Sequence, residues 1–131
     1  MNTIEEIKVV DHIDECPDLS WLDQFERSKD TEEQKYYKRD QERKEQYNND
    51  QWHMVGITAQ ATIRVKTGDS CILQWVESPG LWGIESDSEP SYLASVAVEE
   101  LEQLKEMLIA LNVNMDEWIQ KKNQALSNST F

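Results

Sequence analysis

Apolar and polar residues alternate over residues 52–66, where Val55, Ile57, Ala59, Ala61, Ile63 and Val65 interleave with Thr58, Gln60, Thr62, Arg64 and Lys66. A period of two sends successive side chains to opposite faces, so the run predicts a strand with one buried and one wet face. That is the pattern of an antiparallel sheet covered on one side. Thr67-Gly68-Asp69-Ser70 predicts the hairpin turn, and Cys71 to Val76 the returning strand. Ser78-Pro79-Gly80 ends this run, and Leu81 to Glu85 follows at once. Proline presets φ and glycine accepts positive φ, so Pro79-Gly80 predicts a tight turn and Leu81 to Glu85 a third strand. Gly83, between Trp82 and Ile84, predicts a bulge or a close backbone approach. Trp82 itself is expected in the core, between the third strand and the long helix near Leu93 or Ala97. Residues 52–86 are thus expected to form an antiparallel meander of three to four strands, with Pro79, Gly80, Trp82 and Gly83 as its structural turn.

Beyond residue 88 the period changes to 3.6. Leu93, Val96, Ala97, Leu101, Leu104, Met107, Leu108 and Leu111 recur at three- and four-residue steps and predict a long amphipathic helix over 89–111. Ser88 is the expected N-cap, Pro90 suits the first turn, and Asp87 and Glu89 suit the positive end of the helix dipole. A second helix is expected over 115–126, with residues 127–131 frayed. Upstream, residues 32–48 are rich in helix formers and in opposite charges at i,i+4 but poor in apolar periodicity, which predicts a solvated helix. Its Lys35, Lys38, Arg39, Arg43 and Lys44 read as a salt-bridged surface. In residues 1–20, Lys8 to His12 reads as an edge strand or, given its acidic flanks, as a loose arm. Leu19, Trp21, Leu22 and Phe25 would pin that arm to the core. The expected fold class is α+β, a single domain over 1–131. Its parts are an acidic N-terminal arm (1–30), a solvated helix (31–50), a β-meander (52–86) and C-terminal helices (89–126) packed on the sheet.

Charge adds a second layer. The chain of 131 residues carries a net charge of −13, unevenly spread. Residues 1–34 hold eleven acids against three bases, and residues 77–117 hold ten against one, while 35–76 is slightly basic. Direct nucleic-acid binding needs a basic face that displaces counterions, so it is not expected. Two acidic blocks suit either simple solubility or attraction to a basic protein surface. On the second reading the partner-binding candidates are Asp11, Asp14, Glu15 and Asp18 in one block, and Glu99, Glu100, Glu102 and Glu106 in the other. No apolar run approaches the ~20 residues that span a bilayer. The first residues lack the basic and apolar regions of a signal peptide. A cytoplasmic location, with Cys16 and Cys71 as free thiols, is the expectation.

Candidate chemistry is sparse. His12 and Cys16, or His53 and Cys71, give two loose pairs where a structural zinc needs four ligands. Glu85, Asp87 and Glu89 alternate, but the glycine and spacing of a calcium loop are missing, and helix capping accounts for them. There is no G-x-S-x-G elbow, no phosphate-binding loop and no Cys–His pair at a recognised spacing. The expectation is a protein that is not an enzyme and that uses no metal or cofactor.

Several runs resemble a known group. W-x-x-x-G-I-x-A-x-A-x-I (Trp52 to Ile63), S-x-G-L-W-G-I-E-S-D-S (Ser78 to Ser88), Y-L-x-x-V (Tyr92 to Val96) and the leucine-spaced helix from Glu99 to Leu111 are similar to small, uncharacterised proteins of bacteriophages and mobile elements. The resemblance covers about half the chain, with Pro79 where the group has glycine. It implies a phage origin and a bacterial cytoplasm, and it carries no reaction. Phages use small acidic proteins against restriction and CRISPR nucleases. By that analogy the expected function is inhibition of a host defence nuclease complex, with acidic blocks mimicking nucleic acid in a basic groove. The alternatives are a small enzyme or ligand-binding protein built on the Trp75/Trp82 turn region, and a phage assembly accessory.

Overall fold

A computed structural model of the chain describes residues 2–131. The fold is α+β: four antiparallel strands with helices on both sides. In chain order the elements are β1 (Thr3–Ile13), a short 3-10 turn (Ser20–Asp23), α1 (Thr31–Asn48), β2 (Met54–Thr67), β3 (Ser70–Glu77), β4 (Leu81–Glu85), α2 (Pro90–Ala110) and α3 (Trp118–Asn128).

β2 organises the sheet. At 14 residues and roughly 3.3 Å per residue, it is long enough to carry two strands end to end along one edge. β3 pairs with its C-terminal half, from Thr67↔Ser70 to Gln60↔Glu77. β4 pairs with its N-terminal half, from Ile57↔Leu81 to Met54↔Glu85. The Ser78-Pro79-Gly80 stretch is therefore not a hairpin turn that lays a third strand beside β3. It is a jog that moves the chain along the same edge of β2, with Gly80 at φ 86°. The opposite edge belongs to β1, which pairs along nearly the whole of β2, from Thr3↔Arg64 to Ile13↔Val55. The N-terminal segment is thus an 11-residue strand rather than a loose arm. A bulge between Ile4 and Glu6 lets Ile4 and Ile7, three residues apart, both turn inward. That bulge hides the period of two in the sequence.

The inner face of the sheet is the one read from β2. Ala59, Ala61 and Ile63 join Ile4, Ile7 and Val76 under Leu101, Leu104 and Leu108 of α2 and Trp118 and Ala125 of α3. A second cluster, Val55, Ile57, Ile84, Leu93 and Val96, continues the core toward β4. Phe131 packs on it, so the final residues return to the sheet. The helix start differs from expectation: Glu89 takes the N-cap position without a side-chain cap, and the Ser88 hydroxyl donates to the Glu85 carbonyl at 2.6 Å instead.

On the outer face a smaller cluster of Leu22, Trp52 and Met54, with Leu19 and Tyr47, seats the 3-10 turn and α1 over one end. Arg43 of α1 completes this seat. Its guanidinium lies 3.9 Å from the Trp52 ring centroid, and its carbonyl accepts the Trp52 indole N–H at 2.9 Å. The same guanidinium donates to Asp87 through Nη1 and Nη2 and to Glu85 through Nε at 3.2 Å. Those carboxylates therefore bind α1 to the β4–α2 junction rather than capping α2.

Candidate binding surfaces

The eight predicted contact acids separate once their surroundings are known. In the N-terminal block, Asp14 Oδ1 accepts the Cys16 N–H at 3.1 Å and Asp18 Oδ1 accepts the Ser20 N–H at 3.0 Å, so both shape the loop after β1. The bonds from Ser20 hold the Asp18 carboxyl below its usual range. Asp11 sits in β1 opposite Ile57, and Glu15 is exposed in the loop.

In the second block Glu100 is buried, at 3% exposure, and drops out of any contact surface. Its Oε1 accepts the Ser78 hydroxyl at 2.8 Å and the Gly80 N–H at 2.7 Å, and Ser78 Oγ in turn accepts the Ala59 N–H at 2.8 Å. Glu100 thus pins the jog to α2. Its position was visible in the helix period, because Val96 lies four residues before it and Leu104 four after, both in the core. Glu99, Glu102 and Glu106 are exposed on the opposite side of α2. With a rise of about 1.5 Å per residue they are spaced roughly 4.5 and 6 Å apart along the axis. No ion pair among the described residues engages them, whereas Glu5, Asp23, Glu85 and Asp87 are each bound to Arg or Lys.

Trp82 is not under α2. Gly83, at φ 77°, is the extra residue of a bulge opposite Gly56, so Leu81 and Ile84 share the inner side and Trp82 turns outward. Its ring lies flat on Gly56, where a Cβ would come within 2.2 Å of the indole, and it remains 49% exposed. Its truncation would therefore not empty a core site.

Around that indole all four strands contribute to a cluster absent from the sequence reading. His12 of β1 stacks beside it at 5.6 Å between centroids. His12 Nε2 lies 2.9 Å from Thr58 Oγ1 of β2, and Thr58 Oγ1 lies 3.0 Å from Glu77 Oε2 of β3. The Gln60 amide also donates to that oxygen. The bond from Gln60, then those from Thr58 and the nearby His12, holds the Glu77 carboxyl below its usual range. An ionised Glu77 can only accept, so the single Thr58 proton goes to it and His12 Nε2–H must donate to Thr58. An imidazole that donates to a hydroxyl is not positioned to activate it as a nucleophile. The arrangement holds an aromatic face and a carboxylate in fixed positions. No sequence signal joins these residues, because the pairing register alone brings them together.

The metal pairs do not assemble. His53 precedes β2, while Cys71 pairs with Lys66 at its far end, roughly 40 Å away along an extended strand. Among the described residues no group of three His, Cys, Asp or Glu is placed to hold a metal ion. Cys16 and Cys71 are both free and exposed. No helix among the described residues is long and apolar enough to cross a membrane. No protein-family model, curated protein or solved structure matches the chain.

Proposed function

We propose that this chain is a small acidic binding protein of phage type that occupies a basic, nucleic-acid-binding groove on a host defence nuclease, of the CRISPR or restriction kind, and so blocks it. The observation that carries the reading is the row Glu99, Glu102 and Glu106 on the solvent side of α2, unpaired and held on a rigid helix. Their roughly 4.5 and 6 Å axial steps put charge at intervals comparable with the 3.4 Å per phosphate of one DNA strand. The N-terminal acids support it less, since Asp14 and Asp18 serve the loop. The resemblance to small phage and mobile-element proteins supplies the biological setting. A second reading, a ligand-binding site on the outer sheet face, is favoured by the Trp82–His12–Glu77 cluster.

The test is expression in bacteria that carry a defined restriction or CRISPR system, with plating of a targeted phage as the readout. The chain is expected to restore plating, and the triple change Glu99→Gln, Glu102→Gln, Glu106→Gln to abolish that effect at unchanged protein level. Protection that survives the triple change, or none against any system tried, would overturn the proposal. Loss of protection on Trp82→Ala alone would favour the second reading.

A further inference from the structure

We propose that β3 is a dimerisation strand: two copies pair their β3 edges antiparallel across a two-fold axis at Gln74, joining two four-stranded sheets into one. This goes beyond the nuclease-inhibitor reading and does not depend on it.

The two edges of the sheet are built differently. β1 carries the devices that prevent edge-to-edge association: a bulge between Ile4 and Glu6, charges at Glu5, Glu6, Lys8 and Asp11, and a bond from Lys121 of α3 to the Glu5 carbonyl at 3.1 Å. β3 has no bulge, and Glu77, its last residue, is its single charge. It is eight residues long, regular in register, free of proline and lysine, and uncharged from Ser70 to Val76 in a chain of net charge −13. It also shows large apolar side chains on both faces, with Ile72 51%, Leu73 58% and Trp75 79% exposed. No helix packs over the outer face there, since α1 sits at the Met54 end.

A second copy is the occupant that this strand fits. Side chains directly opposite in an antiparallel pair share a face, so a two-fold axis at Gln74 pairs Leu73 with Trp75 twice on the outer side and Ile72 with Val76 twice on the inner side. Cys71 and Glu77 then fall opposite each other, also on the outer side. Arg64 Nη1 already points to Cys71 Sγ, at 3.8 Å. It would meet Glu77 of the second copy, whose Oε1 makes none of the bonds that hold Oε2. On the inner side, Ile72 of the second copy borders a groove of about 400 Å³ whose apolar lining is Ile63, Val65, Val76, Met107 and Leu111, with Gln74 and Glu77 at its polar side. Two strongly acidic chains repel each other, and β3 is the neutral stretch along which backbone pairing avoids that cost.

Sedimentation equilibrium on the full chain should give twice the 15.3 kDa chain mass. Leu73→Lys and Trp75→Lys, at exposed positions, should each return it to the monomer with the far-ultraviolet circular dichroism unchanged. Register is read by cross-linking in a Cys16→Ser, Cys71→Ser background. Gln74→Cys places the two Cα atoms about 4.5–5.5 Å apart, within disulfide range, and should oxidise to a covalent dimer. Leu73→Cys should not. A monomeric parent, a dimer indifferent to both lysine changes, or cross-linking at 73 instead of 74 would overturn the proposal.

Discussion

Glu100 illustrates at the scale of one residue how a charge in this acidic chain becomes structural. The residue is 3% exposed, and its carboxylate accepts from a hydroxyl and a backbone N–H beneath the jog. Replacement by alanine leaves the buried Ser78 hydroxyl and the partly buried Gly80 N–H without this acceptor, and a fully buried orphan costs about 1–3 kcal/mol. Glu100→Ala is therefore expected to destabilise by roughly 2–4 kcal/mol in urea unfolding, with Glu100→Gln recovering part because its carbonyl still accepts. Glu99→Ala, one residue away on the wet side, should change stability by less than ~0.5 kcal/mol. Equal effects at the two positions would remove Glu100 from this role. The distinction was legible in the 3.6 period and was masked by the adjacent glutamates, which read as one charged patch. Trp82 was less legible. Its inward reading followed from apolar neighbours on both sides, and only the bulge at Gly83 reverses it.

Among the elements, α1 leans heavily on polar side-chain contacts for its attachment to the body, beside the packing of Tyr47 on Trp52. It has no buried residue of its own, and Arg43 ties it to Trp52, Glu85 and Asp87. The bond from Arg43, foremost, holds the Asp87 carboxyl below its usual range. The unfolded chain therefore takes up this proton at a higher pH than the folded one. The contribution is complete above the unfolded value, about 3.9, and is lost as pH falls through the lower folded value. Acid titration of stability should thus show a limb below about pH 4 that Asp87→Asn makes shallower. Arg43→Ala should cost about 2 kcal/mol at neutral pH, through lost bonds and lost cover for Trp52. An unchanged acid limb in Asp87→Asn would show that this junction does not couple to folding. β2 and the long α2 were legible because each keeps one period over many residues, and β3 because the Thr67-Gly68-Asp69-Ser70 turn returns the chain beside β2. β1 was read only in part, as an edge strand from Lys8 to His12, because its bulge shifts parity by one residue. β4 was misplaced because tertiary packing decides which edge of a long strand a short one joins.

Over the whole molecule, the acidity that the proposed function uses should act against folding. A net charge of −13 on a small domain repels itself, and the unpaired row on α2 adds to that field without returning local bonds. Raising sodium chloride from 0.1 M to 1 M shortens the Debye length from about 10 Å to about 3 Å, which screens exposed charges and leaves the Arg43 junction less affected. The melting temperature should therefore rise with salt, by roughly 3–6 °C if the relief is about 1 kcal/mol. A complex with a basic partner should move the opposite way and weaken, mainly through slower association. The triple glutamine variant of Glu99, Glu102 and Glu106 separates the two effects. At low salt it should melt higher than the parent, respond less to added salt, and bind the partner surface poorly, as expected where function is held at the expense of stability. A triple variant that melts lower than the parent at low salt would mean that these carboxylates stabilise the fold. The row on α2 would then be structural, and the outer face around Trp82 would become the surface to examine for binding.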